Sequence, residues 1–330
     1  MSPCITLRWV CVQMTHCEVA PTMKFAVFLL RRLLAIVVLA LVVTAVAFTL
    51  FRVSGLRPAT IAQINGQLGP GEPASVQYVH YLQNLLHGYL GQTMVIGVPV
   101  DTALGQALPA TLSLIVGAML LWLIAGVWIG VISALRPGSL TDRTVTVAAL
   151  TALVLPTFLT ALVLLFVFTY LARYHYFWIQ PGYVPLTRSP GQWLGRMILP
   201  WIAVAATQVG ATARLTRASV LDVLGEDYIR AANAKGLGSR RVIVLHVLRP
   251  AISPVIASLS VGFGTLLGSV AIVDYVFALG GIGQELLTAV GEGDIMLVLG
   301  ITIITVILIS LVNLIIDVCQ ALIDPRIHVA

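Results

Sequence analysis

Two groups of residues in this chain have the types and positions to do chemistry. The first is a pair of carboxylates, Asp274 and Asp317, standing inside otherwise apolar stretches. A charge at the bilayer centre costs about 2.5–3.5 kcal/mol on insertion scales. Such an acid is therefore either a proton-handling group or a paired or interfacial structural carboxylate. Asp274 lies five residues from the outer end of its stretch and Asp317 six from the inner end of its own, which lowers that cost. The second group is the basic segment 226–254, EDYIRAANAKGLGSRRVIVLHVLRPAISP, set between two apolar stretches. Its charges suit contact with a partner protein or with lipid headgroups. Motifs of catalysis are absent. Neither lysine, Lys24 before Phe25 nor Lys235 before Gly236, completes a Gly-x-x-x-x-Gly-Lys-[Ser/Thr] phosphate loop. There is no His-Glu-x-x-His and no Gly-x-Ser-x-Gly either. The chain reads as a non-enzyme.

Composition says where these residues must sit. The chain is 59% hydrophobic and 10% charged, against about 25% charged in soluble domains, so it is a membrane protein. The net charge of +6 is spread over loops with no aromatic-interleaved basic stripe, which argues against nucleic acid. Cys4, Cys11, Cys17 and Cys319 match no zinc or redox spacing, so neither a disulfide nor a metal is expected. Met23-Lys24-Phe25 followed by Arg31-Arg32 looks like a natural start, leaving 1–22 as a disordered or mis-assigned extension.

Six stretches approach the roughly 20 apolar residues of a helical crossing: 33–51, 110–135, 145–170, 197–213, 252–279 and 295–323. The fourth is weakest, holding Thr207, Gln208 and Thr212, but the charge distribution requires it. With both termini inside, the inner segments 1–32, 136–144, 214–251 and 324–330 carry 14 Lys and Arg residues and the outer loops five. That is the positive-inside pattern. An all-α, six-helix protein follows.

The outer segment 52–109 contains an amphipathic helix over 75–90, with Tyr78, Tyr81 and Tyr89 suited to the membrane interface. His80 and His87 within it read as solvated or metal-binding. The acidic outer loop 280–294, with Glu285, Glu292 and Asp294, is either solvated or a contact for a soluble partner. Pro156, mid-stretch in Leu-Val-Leu-Pro-Thr-Phe, must bend its helix, either as plain structure or beside a translocation path. Gly264, Gly268 and Ser269 permit close helix contact, with a second subunit among the candidates. With Pro156 and Asp274 they are the candidates for lining such a path.

Within 226–254, Asp227 sits where acids favour a helix start. Ala231 and Ala232 form helix with little bulk, which would let a partner approach. Gly236 and Gly238 end that helix, and Arg240 and Arg241 are placed to pair with acids on the partner.

The Ala231-Ala232-x-x-x-Gly236 core resembles the cytoplasmic EAA loop of ABC importer permeases. The whole of 24–328 resembles the dipeptide/oligopeptide (DppB/OppB-like) class. The carrying pieces are Gln77-Tyr78, Leu90-Gly91, Leu108-Pro109-Ala110-Thr111-Leu112, Ala213-Arg214-Leu215-Thr216-Arg217 and Asp227-Tyr228-Ile229-Arg230. Ala234-Lys235-Gly236-Leu237, Gly281-Ile282-Gly283 and Asp324-Pro325-Arg326 complete them. The sequence departs from that pattern at Arg230 (for Glu), Arg249 (for Pro), Tyr89, Gly280 and Asp274. Arg249 is expected to shift the loop's final turn by one residue. The resemblance implies the type I importer permease fold in the bacterial cytoplasmic membrane, one permease core over 110–328, and no cofactor on this chain. It further implies a homologous second permease, two ATPase subunits carrying ATP and Mg, and an outer binding protein. Asp227, Arg230, Ala231, Ala232, Lys235, Gly236, Arg240 and Arg241 are its implied ATPase-coupling residues. The implied cargo is peptides, with nickel complexes, glutathione or haem as alternatives. A proton-coupled carrier is the reading from a different class.

Overall fold

The computed structural model describes residues 21–53, 73–95, 97–172 and 181–323. Residues 1–20 of the expected extension and the terminal Asp324-Pro325-Arg326 motif lie outside them. The described residues are helical with no strand, apart from one isolated bridge between Gln92 and Pro99.

The first helix, α1 (Pro21–Val53), carries the apolar stretch 33–51. It starts two residues ahead of Met23. After α2 (Ala74–Leu86) comes α3 (Val100–Leu135), which begins ten residues before the apolar stretch it was expected to match. Asp101, Thr102 and Gln106 dilute the hydropathy there, yet the backbone is already helical. The expected 145–170 crossing is instead two helices, α4 (Leu140–Val154) and α5 (Thr157–Ala172), bent by 106°. Leu155 takes an extended ψ of 121°, as steric contact with the following proline ring favours, and Pro156 has no N–H with which to continue the ladder.

The fourth stretch belongs to α6 (Pro190–Leu224), 35 residues long. Two of its polar residues, Gln208 and Thr212, are hydrogen-bonded across helices, which is why a hydropathy count undervalues it. Beyond it come α7 (Asp227–Ala234), α8 (Ser239–Val242), a π turn at Ile243–Val247 and α9 (Leu248–Val276). From Ser239 to Val276 the path is continuous, so Arg249 and Pro250 sit in the first turn of α9 and no displaced turn forms there. Pro250 has no N–H to continue the ladder, and it follows the widened π turn. The described residues end with α10 (Ile282–Glu292) and α11 (Ile295–Ile323).

Four of these runs are long and apolar enough to cross a bilayer: α3, α6, the run Ser239–Val276, and α11 through Gln320. The bent α4–α5 pair makes a fifth if it is one span.

The core forms where α3, α6 and α9 meet, around Leu114, Trp122, Met197, Val204, Phe263 and Val270. Contact is close because α3 has glycines facing α6. A Cβ on Gly126 would stand 2.8 Å from the Thr212 side chain, and one on Gly130 would stand 2.6 Å from the Ala213 carbonyl. Without a hydrophobic drive between helices in lipid, small residues and cross-helix hydrogen bonds carry association. Here Trp122 Nε1 donates to Thr212 Oγ1 at 2.5 Å and Trp201 Nε1 to the Ser113 carbonyl at 2.9 Å. The outward face of α3, with Val116, Leu120, Ile124, Trp128 and Ile132 at four-residue spacing, is exposed and apolar, as a lipid-facing stripe must be.

A second cluster joins α1, α2, α3, α10 and the start of α11. Tyr78 and Tyr81 of α2 pack at tilted angles about Phe48 of α1, and Tyr81 is buried there; Tyr89 stays exposed. His87 Nδ1 meets the Gln83 carbonyl at 2.7 Å. Among the described residues no three His, Cys, Asp or Glu side chains converge as a metal site, the pair His80 and His87 included.

Candidate functional site: a coupling surface and the face behind it

The long helix α6 hands over to α7 through Gly225 and Glu226 alone. α7 is seated by one fully buried side chain, Ile229, which packs with Ala134 of α3, Val220 of α6, and Val242, Val247 and Ala251 beyond. Asp227, in the first turn, lies 3.3 Å from Arg230.

The C-terminus of α7 explains the alanine–glycine spacing. Gly236 has φ +78°, a left-handed conformation that costs glycine little. Its N–H donates to the Asn233 carbonyl at 3.0 Å, and that of Leu237 donates to Ala232 at 3.4 Å. These two bonds make a Schellman stop, and the half-buried Ala232 and Leu237 supply its apolar contact. Ala232 is thus partly engaged inside the chain. The free face is built from Asp227, Arg230, Ala231, Lys235 and Gly236, with Arg240 and Arg241 following in α8; all are exposed.

The residues considered for a translocation path divide into two sets. Gly264 and Gly268 are exposed on α9 with nothing within 4 Å of where a side chain would stand. Ser269 Oγ is 3.2 Å from Thr157 Oγ1, which places the exposed Pro156 break against that same face. Gln208 of α6 reaches it too, donating to the Gly262 carbonyl at 2.8 Å and to Thr265 Oγ1. Asp274 is not on this face. It is 0% exposed, and its carboxylate accepts the N–H of Gly281 at 3.0 Å and of Gln284 at 3.1 Å, capping α10. Gly281 must lack a side chain because a Cβ would collide with Asp274 Oδ2 and Thr111 Oγ1. Gly283 lies as tightly on the Ala271 backbone. Asp317 forms an ion pair with Arg32 of α1. Both intramembrane acids are therefore engaged in structure.

The acidic segment 280–294 is mostly α10. Asp294 is buried, accepting from Leu297 N at 3.1 Å and from Met94 N at 2.7 Å, so it ties Met94 to the start of α11. Glu285 is half-buried; burial first, then the neighbouring Asp274 and Glu292 carboxylates, raises its pKa above the usual glutamate range.

One further cluster escaped the sequence reading. Asp142, at the start of α4, accepts from Ser133 Oγ, from Gly138 N at 2.9 Å, and from Arg217 Nε and Nη2 at 2.7 and 2.9 Å. Its own N–H is capped by Ser139 at 3.2 Å. The Ser139-Leu-Thr-Asp142 spacing is a legible capping signature; the partner 75 residues away is not.

A polytopic helical protein that seats a short, stopped helix at the end of a core helix, with a polar face of another helix left open, has the architecture of a transport permease. The chain belongs to the family of binding-protein-dependent transport system inner membrane components, whose profile matches residues 126–329. It is 32% identical over 314 residues to the "Probable peptide ABC transporter permease protein y4tP" of Sinorhizobium fredii, covering 92% of this chain and 99% of that one. It is 34% identical over 299 residues to the "Dipeptide transport system permease protein DppB" of Escherichia coli K12, covering 83% and 87%. This is a multi-pass membrane subunit of an ABC importer, a transport component and not an enzyme. Such permeases act with ATPase and binding-protein partners.

Proposed function

We propose that this chain is one of two homologous permease subunits of a peptide importer. Two cytoplasmic ATPases, holding ATP and Mg, drive it through the exposed face of α7 and the basic turn after it. Six crossings with both termini inside, α1 as the first and α4–α5 as one broken span, agree with the distribution of Lys and Arg. Substrate would arrive from an outer binding protein. ATP binding draws the coupling surfaces together and opens the cavity outward; hydrolysis resets it. The peptide cargo rests on the names of the similar relatives. The chain itself holds no cofactor in this reading.

The observation that carries the coupling role is the seating of α7. One buried side chain and a Schellman stop hold it rigidly while its other faces stay free. A lipid anchor needs basic charge, not a stiff lever with a defined end. Engagement of Asp274 and Asp317 in structural contacts weighs against a proton carrier. The test is uptake of a labelled dipeptide by proteoliposomes holding the full complex. ATP-dependent uptake that survives collapse of the proton gradient is expected. Gradient-driven uptake by the purified chain alone would overturn the reading. Ser239→Cys in a background without other cysteines should resist an impermeant thiol reagent applied to intact cells; labelling from outside would reverse the topology.

A further inference from the structure

We propose that the Asp142–Arg217 ion pair is a positioning element that carries motion of α7 to the open face of α9. This inference rests on the coupling role of α7. Arg217 lies two helical turns before the end of α6, and Val220, Leu221 and Leu224 follow it at spacings of three, four and seven, on one side of the helix. Val220 belongs to the cluster that seats Ile229. On α3, Ser133 donates to Asp142 while the next residue, Ala134, packs in that same cluster. The seat of α7 and the ion pair thus share two adjoining helix ends.

Asp142 adds the third element. It opens α4, a helix whose far end is the Pro156 break, and beyond the break Thr157 meets Ser269 of α9. Between these ends Ala149 of α4 lies on Gly210 of α6, where a Cβ would stand 2.6 Å from the Ala149 carbonyl. A displacement of α7 that turns the end of α6 therefore acts on α4 at the ion pair, and α4 delivers it at the bend. The guanidinium engages both carboxylate oxygens in a forked arrangement, which fixes orientation as well as distance. The Asp142 side chain is 7% exposed and that of Arg217 32%, so the carboxylate has little access to water as a substitute partner. The pair is charged because a forked link resists rotation between helices where small-residue packing permits it.

The test uses the complete complex in proteoliposomes, with Asp142→Asn, Arg217→Lys and Ser133→Ala. Three quantities are read: ATPase subunits retained on purification, ATP hydrolysed, and substrate transported per ATP. Spin labels at Thr151→Cys and Val261→Cys, both exposed, report the distance between α4 and α9 with and without ATP. The expected result is normal ATPase retention and continued hydrolysis, with transport per ATP lowered on the order of tenfold in Asp142→Asn. Arg217→Lys, keeping charge without the fork, falls between. The ATP-dependent change in the label distance shrinks in parallel. A purely structural staple would lower membrane level or melting temperature and leave transport per ATP and the label distances unchanged, and that outcome overturns the proposal. If Asp142→Asn does not accumulate, Arg217→Lys, which keeps the charge and loses the fork, decides by the same ratio, with Ser133→Ala, which keeps the ion pair, as the control expected to stay near the parent. A parental complex that shows no ATP-dependent transport fails the coupling reading instead, so the two failures are distinct.

Discussion

Replacing Asp274 separates a structural carboxylate from a proton-handling one. In the native chain it is fully buried and accepts two backbone N–H groups, from Gly281 and Gln284, at the N-terminus of α10. Asp274→Asn has one acceptor oxygen for those two amides, and its own NH2 is turned toward a donor. A hydrogen bond to a charged group contributes about 1.5–3 kcal/mol, and a stranded buried donor costs about 1–3 kcal/mol. A loss of about 3 kcal/mol is expected for Asn, and about 4 kcal/mol for Ala, which strands both amides. Thermal unfolding of the purified permease in detergent measures it, with membrane level recorded alongside. Gly281→Ala should reach a similar loss from the opposite side, because its methyl group displaces the same carboxylate. ATP-driven uptake per folded complex should remain near the parental value for Asp274→Asn. Normal thermal stability combined with abolished uptake would refute this reasoning and make Asp274 a proton-handling group.

Three further predictions rest on single contacts. Gly236→Val places a β-branched residue at φ +78°, so the Schellman stop should lose about 1–3 kcal/mol and uptake should fall with membrane level intact; uptake and immunoblotting check both. Gly130→Val drives a side chain into Ala213 and Thr216, so melting should reveal overpacking of about 1–3 kcal/mol, and an unchanged midpoint would contradict the α3–α6 packing. Glu285, whose pKa burial raises, adds stability below the ordinary glutamate value and loses it as pH rises through the raised value. Glu285→Gln should therefore melt higher than the parent near about pH 8 and show no gain near about pH 4.

Much of the structure of the segment proposed to couple was readable because its signals are local. Asp227 marks the start of α7, and the four-residue step from Ala232 to Gly236 is the backbone spacing of its stop. The apolar stretches likewise pointed to helices, but not to their ends. α3 begins at Val100 among polar residues that a hydropathy window discounts, and α6 runs through its threonines because Thr212 finds Trp122 across the interface. Pro156 announced a bend but not its size, since the angle depends on what the two halves pack against. The roles of Asp274, Asp317 and Asp142 depend on Gly281, Arg32 and Arg217, and no local pattern joins Asp317 to Arg32 or Asp142 to Arg217. That is why the sequence leaves Asp274 and Asp317 open between a proton-handling and a structural role, with Asp274 also a path candidate, and the partners point to structure.

The central claim is that the exposed surface of α7 and the turn after it receives the ATPase. The most direct measurement is co-purification of the ATPase subunits with a tagged parent and with the Arg240→Glu, Arg241→Glu double variant, at matched membrane levels. Both arginines are exposed and make no ion pair among the described residues, so reversing their charge should spare the fold while opposing an acidic partner surface. The account predicts that the parent retains the ATPases, and that the variant loses most of them or hydrolyses ATP without transport, with binding-protein affinity unchanged. Retention of the ATPases and transport at the parental rate by the variant would contradict it, leaving this segment a lipid anchor.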